Sequence, residues 1–499
     1  MERGLACSAV IVQTRHGRLE GIDLDGARAY LGVPYAAAPV GSLRWKAPAP
    51  AAEWAGVRDT TRLRPSPPQV GGGSPGSGTL PGLDVGETDE DCLYLNVWAP
   101  DGASSAPVMV WVPGGAFTTG GAGVPLYDGS QLAGRQDVVV VTVTYRVGAL
   151  GFAAVPYGMP NRGLLDQVAA LAWVGDNIDA FGGDPGNVTV FGESAGGGSV
   201  LHLLAMPSAR GLFRRAIVQS GATDLTLDAE QAALVASRFT SAVGDLSAPV
   251  DAVLAAQQEA ALASMADVGV MPFHPFVDGE VVVRRPIDAM ADANADLLIG
   301  TTRDEMRMFL DPRPLERDQV VRRAGRYLAS LGGDADRAEA LVASYDDDPH
   351  LPTPTDVWSA IQTDGEMRRP ADAMAAAHTT AGPTFVYRFD QPMAGDLAHL
   401  SACHASDLPY PFGTFEQAGW SDVVTPDAFD VSDAMQSAWA AFARTGNPSC
   451  AQLGDWPSYD VTQRATMIID GAPRVVDDPD GDRRVLWERA APLGRGIGS

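Results

Sequence analysis

The chain has 499 residues, of which 45% are hydrophobic and 20% charged, so its composition is that of a folded globular protein rather than a disordered one. The formal net charge of −26 argues against a nucleic acid or an anionic membrane surface as partner, because these are bound mainly through Lys and Arg. Lys46 is the single lysine, which excludes the phosphate-binding G-x-x-x-x-G-K-[ST] loop and an S-x-x-K nucleophile pair.

In the first half of the chain, buried apolar runs alternate with helical patterns. Residues 106–112 and 138–145 are rich in Val and bounded by Gly, Pro or polar residues, which is typical of strands buried on both faces. Residues 164–181 have apolar side chains at helical spacing, and two glycines follow them. A short strand over 187–191 leads through a glycine-rich turn into another helix. This order predicts a doubly wound α/β architecture.

The predicted sheet continues into the second half of the chain, with further apolar runs at 215–219, 297–300 and 385–389. We therefore expect a single domain over residues 1–499 rather than two separate ones. Helical patterns rich in Ala, Asp and Arg lie between these strands and predict insertions at approximately 225–290 and 310–380. Packed over one end of the sheet, such insertions would shape a substrate pocket.

The cysteines and the N-terminal segment bear on location and on metal binding. The four cysteines are far apart and form no C-x-x-C, so we expect free thiols and no metal site: Cys7, Cys92, Cys403 and Cys450. Residues 1–20 lack the basic and apolar regions of a signal peptide, and no stretch approaches the ~18 apolar residues of a membrane span. We expect a cytoplasmic protein without a membrane span. Residues 70–88, rich in Gly, Pro and Ser, predict a mobile surface loop.

Residues 192–196 read Gly-Glu-Ser-Ala-Gly and match G-x-S-x-G between a predicted strand and a predicted helix. By itself the pattern could be an ordinary glycine-rich turn, but a nucleophile at a sharp, strained bend needs small neighbours in just this context. A serine hydroxyl is a weak nucleophile, so it needs a histidine base and a carboxylate that orients the imidazole. The pattern therefore predicts Ser194 as the nucleophile, with the acid and then the histidine later in the chain.

The histidine can be sought by elimination among seven. His16 precedes the serine, and His274 precedes the candidate acid. His202 lies on the helix after the serine, where a core position is expected, and His350 and His378 lie in the predicted insertions. The remaining candidates, His399 and His404, both follow the strand predicted at 385–389. Position in the chain leaves both open.

Residues 403–413, Cys-His-Ala-Ser-Asp-Leu-Pro-Tyr-Pro-Phe-Gly, resemble the H-x-x-[DE]-L-P-[YF]-x-F-G segment of the type-B carboxylesterase/lipase family, the cholinesterase-like branch of the α/β-hydrolases. This segment carries the family's catalytic histidine, so the resemblance implies His404 as the base. The family acid is a glutamate in a G-T-x-x-D-E context, which residues 300–305 resemble. This implies Glu305 rather than Asp304, a pair that would otherwise be interpreted as solvated acidic residues.

Other segments also resemble blocks of this family, and together they extend from about residue 10 to about residue 460: residues 32–36, 43–45, 90–97, 145–146, 163–167, 181–185 and 442–448. The resemblance implies the α/β-hydrolase fold, with a large, mostly parallel central sheet, helices on both faces and helical insertions over the active site. It also implies an oxyanion hole formed by the N–H groups of Gly115, Ala116 and Ala195. Glu193 is expected in the buried polar surroundings of the site.

The function predicted is a serine carboxylesterase that hydrolyses a small-molecule ester through an acyl-enzyme, without a metal or an organic cofactor. A carbamate or amide hydrolase with the same triad is an alternative. A non-catalytic adhesion module is an alternative of another class, but such modules normally have a damaged triad. The natural ester and the oligomeric state cannot be predicted from the sequence, and Phe117, Phe309 and Phe412 could each line a pocket or lie in the core.

Overall fold

The computed structural model of the chain describes residues 10–70, 80–221, 225–309 and 313–491. Cys7 lies outside these ranges, as do residues 71–79 of the predicted mobile loop. No helix within the described ranges is long and apolar enough to cross a membrane.

The strands of the described ranges join into one mixed sheet. They are β1 (Val10–Gln13), β2 (Arg18–Asp23), β3 (Ala27–Pro34), β4 (Val57–Asp59), β5 (Tyr94–Pro100), β6 (Ala106–Val112), β7 (Val139–Val143), β8 (Gly183–Glu193), β9 (Arg215–Gln219), β10 (Asp296–Thr302), β11 (Thr384–Phe389), β12 (Ala465–Ile469) and β13 (Arg474–Asp477). Their order is β1-β2-β3-β5-β7-β6-β8-β9-β10-β11-β12-β13, with β4 beside β2. Neighbours from β7 to β12 are parallel, and the pairs at the two ends of the path are antiparallel.

Helices connect the parallel strands, and the last helix of the described ranges follows the final strand. They are α1 (Ser130–Gln136), α2 (Gly148–Phe152), α3 (Arg162–Asn177), α4 (Ala195–Ala205), α5 (Ala229–Val243), α6 (Val250–Val268), α7 (Pro286–Ala289), α8 (Arg317–Ser330), α9 (Ala338–Ala343), α10 (Pro354–Thr363), α11 (Arg369–His378), α12 (Pro409–Phe412), α13 (Ala428–Thr445) and α14 (Gly481–Ala490). Helices α5 to α7 lie between β9 and β10, and α8 to α11 lie between β10 and β11. A π-helical turn over Asp364–Arg368 joins α10 to α11.

Strand β6 explains why the sheet is covered on both faces. All seven of its residues are buried, and successive side chains point to opposite faces. Val108 and Val110 belong to one apolar core together with residues of α3 and α4. Met109 and Trp111 belong to a second core together with residues of α1 and α13. The continuous apolar run therefore supplies two cores at once, and the predicted α/β architecture is confirmed.

The register of the parallel strands brings their carboxyl ends together. Val112 at the end of β6 pairs with Gly192 of β8, and Glu193 pairs with Gln219 of β9. Further along the sheet, Thr302 at the end of β10 pairs with Phe389 of β11. The turns that follow these strands therefore meet at one edge, where open α/β sheets bind their ligands.

Candidate active site

Ser194 lies at a sharp bend between β8 and α4, with φ 55° and ψ −125°, a conformation that side-chain-bearing residues rarely adopt. Two backbone hydrogen bonds hold the bend: the Ser194 N–H donates to Gln219 O at 2.9 Å, and the Gly198 N–H donates to Ser194 O at 2.8 Å. A Cβ at Gly192 would lie 2.6 Å from the carbonyl carbon of Gly196, so this turn cannot close with larger residues. The glycines of the motif thus have a steric role.

Three side chains far apart in sequence form a hydrogen-bonded chain at this edge. The Nε2 atom of His404 lies 2.9 Å from Oγ of Ser194, and its Nδ1 atom lies 2.6 Å from Oε2 of Glu305. The other oxygen of Glu305 accepts the Thr302 N–H at 2.8 Å. For the neutral, reactive form of the imidazole we assign the tautomer with the proton on Nδ1, because this nitrogen donates to the carboxylate and leaves Nε2 free to accept from the serine hydroxyl.

The two histidines that chain position left open are separated by the structure. His404 is buried and contacts Ser194, whereas His399 is exposed and its ring contacts Asp396 O at 3.1 Å. His202 is buried in α4, with Nδ1 2.8 Å from Gly198 O, so it occupies the core position that was expected. Burial lowers the pKa of His202 to about 4, and this ring stays neutral at physiological pH.

The two neighbouring acids are also separated. Glu305 is fully buried and faces His404. The carboxylate of Asp304 instead pairs with Arg303 at 3.0 Å and with Arg307 at 3.4 Å. Both acids are buried, so neither is the solvated surface residue that an acidic pair usually is.

Glu193 adds a second carboxyl group beside the imidazole, with Oε1 3.2 Å from Nε2 of His404. Burial raises the pKa of Glu193 to about 8. Burial by itself would lower the pKa of His404, but the carboxylates of Glu193 and Glu305 outweigh it and raise that pKa to about 9. Because a proton on Glu193 cancels part of the field that holds the proton on His404, the two groups titrate as a pair.

Asp407 is a buried acid that sequence reasoning did not single out. One of its oxygens accepts from Gln219 Nε2 at 2.8 Å, and Gln219 in turn accepts from the indole N–H of Trp439 at 3.1 Å. Burial raises the pKa of Asp407 to about 6. The signal that could have found it is the acidic position three residues after His404 in the H-x-x-[DE] pattern.

The loop after β6 lies directly against the serine. A Cβ at Gly114 would be 3.1 Å from Cβ of Ser194. Gly115, Ala116 and Phe117 all have positive φ, a backbone conformation that is rare for residues other than glycine. Successive N–H groups in such turns can form a concave surface that binds an anion. Among the described residues no acceptor receives the N–H of Gly115 or Ala116, and Ala195 begins α4 at the positive end of the helix dipole.

The three aromatic residues whose role was open lie in different surroundings. Phe117 and Phe412 are fully buried, and Phe412 packs against Trp111 with ring centroids 5.1 Å apart. Phe309 is 38% exposed, and its ring centroid lies 5.4 Å from that of His404. Of the three, Phe309 borders the accessible side of the site.

The described part of the chain has no group of three or more His, Cys, Asp or Glu side chains arranged to hold a metal ion. A hydroxyl, an imidazole and a carboxylate aligned at the carboxyl edge of a doubly wound sheet define the class of serine hydrolases with the α/β-hydrolase fold. The chain matches the carboxylesterase family over residues 8–485, and it belongs to this family. It is a carboxylic-ester hydrolase, as the sequence predicted.

The chain is similar to known esterases over nearly its whole length and theirs. The chain is 38% identical to the para-nitrobenzyl esterase of Bacillus subtilis (strain 168), covering 95% of this chain and 97% of that protein. It is 34% identical to the phenmedipham hydrolase of Pseudarthrobacter oxydans, covering 92% and 94%. Among solved structures, a thermophilic PNB esterase superposes with a TM-score of 0.83 at 38% identity, covering 96% of this chain and 100% of the other. These comparisons give no evidence for the alternatives, a carbamate or amide hydrolase with the same triad or a non-catalytic adhesion module.

Proposed function

We propose that Ser194 is the nucleophile, His404 the general base and acid, and Glu305 the carboxylate that orients the imidazole. The observation that carries this proposal is the continuous chain of hydrogen bonds, 2.9 Å from Ser194 to His404 and 2.6 Å from His404 to Glu305. Both distances are within the reach that proton transfer and orientation require.

In the acylation step Oγ of Ser194 attacks the carbonyl carbon of the ester while its proton passes to Nε2 of His404. The carbonyl oxygen becomes an oxyanion, and the resulting imidazolium is stabilised by Glu305. When the bond to the alcohol breaks, His404 gives the proton to the departing alkoxide. The alcohol leaves, and the acyl group remains on Ser194 as an ester.

In the deacylation step a water molecule takes the place of the alcohol. His404 removes a proton from this water, whose oxygen attacks the acyl carbonyl carbon. The second tetrahedral intermediate collapses as His404 returns the proton to Oγ of Ser194. The carboxylic acid leaves and the free enzyme is restored, so the overall reaction consumes one water per ester without a cofactor.

The oxyanion hole in this proposal consists of the N–H groups of Gly115, Ala116 and Ala195. The N–H groups of Gly115 and Ala116, which have no acceptor within the described ranges, and the position of Ala195 at the start of α4 support this role. Backbone donors of this kind act on the charge that develops in the transition state, and one of them is worth about 10²–10³ in rate. Glu193 lies next to the imidazole and tunes its pKa without touching the ester.

We also propose that residues 1–499 form one α/β-hydrolase domain with helical insertions at approximately 225–290 and 310–380. The continuous sheet from β1 to β13 and the two groups of helices between β9 and β11 support it. A cytoplasmic location is supported by Cys92 and Cys403, which are buried free thiols. Burial raises the pKa of both thiols, which keeps them unreactive.

The experiment that tests the assignment is the turnover of a p-nitrophenyl ester by Ser194→Ala. We expect this variant to lose activity by about 10⁴-fold or more while its fold is retained. Ser237→Ala removes an exposed hydroxyl from α5 and is the matched control, expected to keep full activity. Turnover retained by Ser194→Ala at the rate of this control would refute the proposal.

A further inference from the structure

The loop that carries Glu305 is held on one side by the segment that contains Ala402 and His404. The loop leaves β10 after Thr302 and continues as a 3₁₀ turn over Glu305–Phe309. The Asp304 N–H donates to Ala402 O at 2.9 Å, and the His404 N–H donates to Glu305 O at 3.2 Å. These contacts join the acid to the base, but they leave the other side of the loop to be held by something else.

The second insertion provides that support. Thr363 is the last residue of α10, and its Oγ1 atom accepts a hydrogen bond from the Met306 N–H at 3.1 Å. Arg368, the last residue of the π-helical turn, donates from Nη2 to Arg303 O at 3.0 Å. Met306 directly follows Glu305 in the chain, and Arg303 precedes it by two positions. The acid is therefore flanked on both sides by groups from one short stretch of the insertion.

Both supporting side chains are themselves fixed. Thr363 is fully buried, so its hydroxyl has little freedom to turn elsewhere. Arg368 is held by Asp364, with Nη1 2.7 Å from Oδ1, and its charge is further balanced by Asp480 at 3.8 Å. Asp364 and Arg368 are the first and last residues of the π-helical turn, and their side chains form an ion pair across it. Turns of this rare type frequently occur at functional sites.

We propose that Thr363 and Arg368 are positioning residues that hold the Glu305 carboxylate against His404, so that the second insertion supports catalysis as well as covering the sheet. The inference rests on the proposed role of Glu305 as the triad acid. Catalytic groups must be held within about 0.5 Å of their productive geometry by residues that are locked in turn. A loop that relaxes away from His404 weakens the hydrogen bond that stabilises the imidazolium.

Thr363→Val tests the proposal because it keeps the shape of the side chain and removes the acceptor of the Met306 N–H. We expect kcat for a p-nitrophenyl ester to fall about tenfold with KM unchanged, since misplaced catalytic groups cost up to about 10² in rate. The acid limb of the pH profile should move to lower pH, because a weaker contact with Glu305 lowers the pKa of His404. Thr363→Ser keeps the hydroxyl and should restore both quantities.

The proposal is overturned if Thr363→Val has wild-type kcat, if its acid limb does not move, or if Thr363→Ser is equally impaired. Circular dichroism and thermal unfolding establish that each variant is folded. Should Thr363→Val not fold, the pair Arg368→Met and Arg368→Lys decides in its place. We expect Arg368→Met to lower kcat and to shift the acid limb to lower pH. Arg368→Lys should have a kcat and an acid limb closer to those of the wild type, and equal behaviour of the two variants overturns the inference.

A Glu305→Gln background separates this proposal from the assignment of the acid. Glu305→Gln alone should lose about 10³–10⁴-fold in kcat. If it does, and Thr363→Val added to it costs nothing further, Thr363 acts through Glu305, because coupled residues are not additive. If Glu305→Gln retains full activity, the assignment of the acid fails. If Glu305→Gln is impaired and Thr363→Val costs the same in either background, only the positioning role fails.

Discussion

Oε1 of Glu193 lies 3.2 Å from Nε2 of His404, the same nitrogen that contacts the hydroxyl of Ser194. The imidazole is thus placed between two carboxyl groups, since its Nδ1 atom faces Glu305 at 2.6 Å. Charge on either group favours the imidazolium, which must form in the transition state but must be absent when the reaction begins. With His404 as the proposed base, we expect the protonation of Glu193 to govern the pH at which His404 can accept the serine proton.

Glu193→Gln should move the acid limb of kcat/KM to lower pH. A neutral His404 is needed to accept the serine proton, so activity is lost as the pH falls through the pKa of His404. Removing the negative charge beside the imidazole lowers that pKa. The measurement is a pH profile with a p-nitrophenyl ester, and Glu259→Gln, on the exposed face of α6, is the control for loss of one charge. An acid limb that stays in place or moves to higher pH contradicts this account.

His404→Gln and His399→Gln form a matched pair for the base. The first removes the group that contacts Ser194 and should lower kcat by about 10⁴-fold or more. The second changes an exposed ring whose hydrogen bond, within the described ranges, is to Asp396 O, and it should keep near wild-type activity. Steady-state rates on one ester are sufficient for the comparison. Comparable losses in the two variants would mean that the base is misassigned.

Asp407→Asn should change how stability depends on pH. Because burial raises the pKa of Asp407 to about 6, its folded form prefers the neutral acid. The stability it contributes is therefore complete below pH 4 and is lost as the pH rises through about 6. Relative to the variant, the free energy of unfolding of the wild type should fall by about 2 kcal/mol between pH 4 and pH 7. Urea unfolding at several pH values measures this difference, and a constant or opposite difference refutes the prediction.

Gly196→Ala should be strongly destabilising and inactivating. An added Cβ would clash with the carbonyl oxygen of Val112 and lie 3.0 Å from the carbonyl carbon of Pro113, and neither backbone can move without disturbing β6. Overpacking of this kind costs about 1–3 kcal/mol. Gly175→Ala is the control, because this exposed glycine of α3 has open space around its Cβ position and should gain about 0.5–1 kcal/mol. Thermal unfolding of both variants should show shifts of opposite sign.

Much of the fold was predictable because its signals are local. The strand at Arg215–Gln219 has the predicted bounds, whereas the strand predicted at 187–191 is part of the longer β8. The helix predicted at 164–181 divides into α3 and a 3₁₀ turn over Ile178–Phe181. The antiparallel strands before residue 100 were not predicted. Element ends depend on capping and on neighbouring strands, which a hydrophobic pattern does not contain.

The site was predictable only as far as motifs reach. The proposal of Ser194 as nucleophile came from a predicted strand and helix around a glycine-rich turn, and the proposal of His404 as base needed a family resemblance to distinguish it from His399. The contacts of Thr363 and Arg368 with the acid loop join residues more than 50 positions apart and have no motif. Such contacts follow from tertiary packing, so only the structure reveals them.

The most direct test of the account is to identify the residue that carries the acyl group. The protein would be mixed with p-nitrophenyl acetate, quenched in acid during the burst, and analysed by intact-protein and peptide mass spectrometry. We predict one acetyl group per chain, on the peptide that contains Ser194, together with a burst of p-nitrophenol of matching size. Neither should occur in Ser194→Ala. An acetyl group on another residue, or a burst retained by Ser194→Ala, would contradict the central claim.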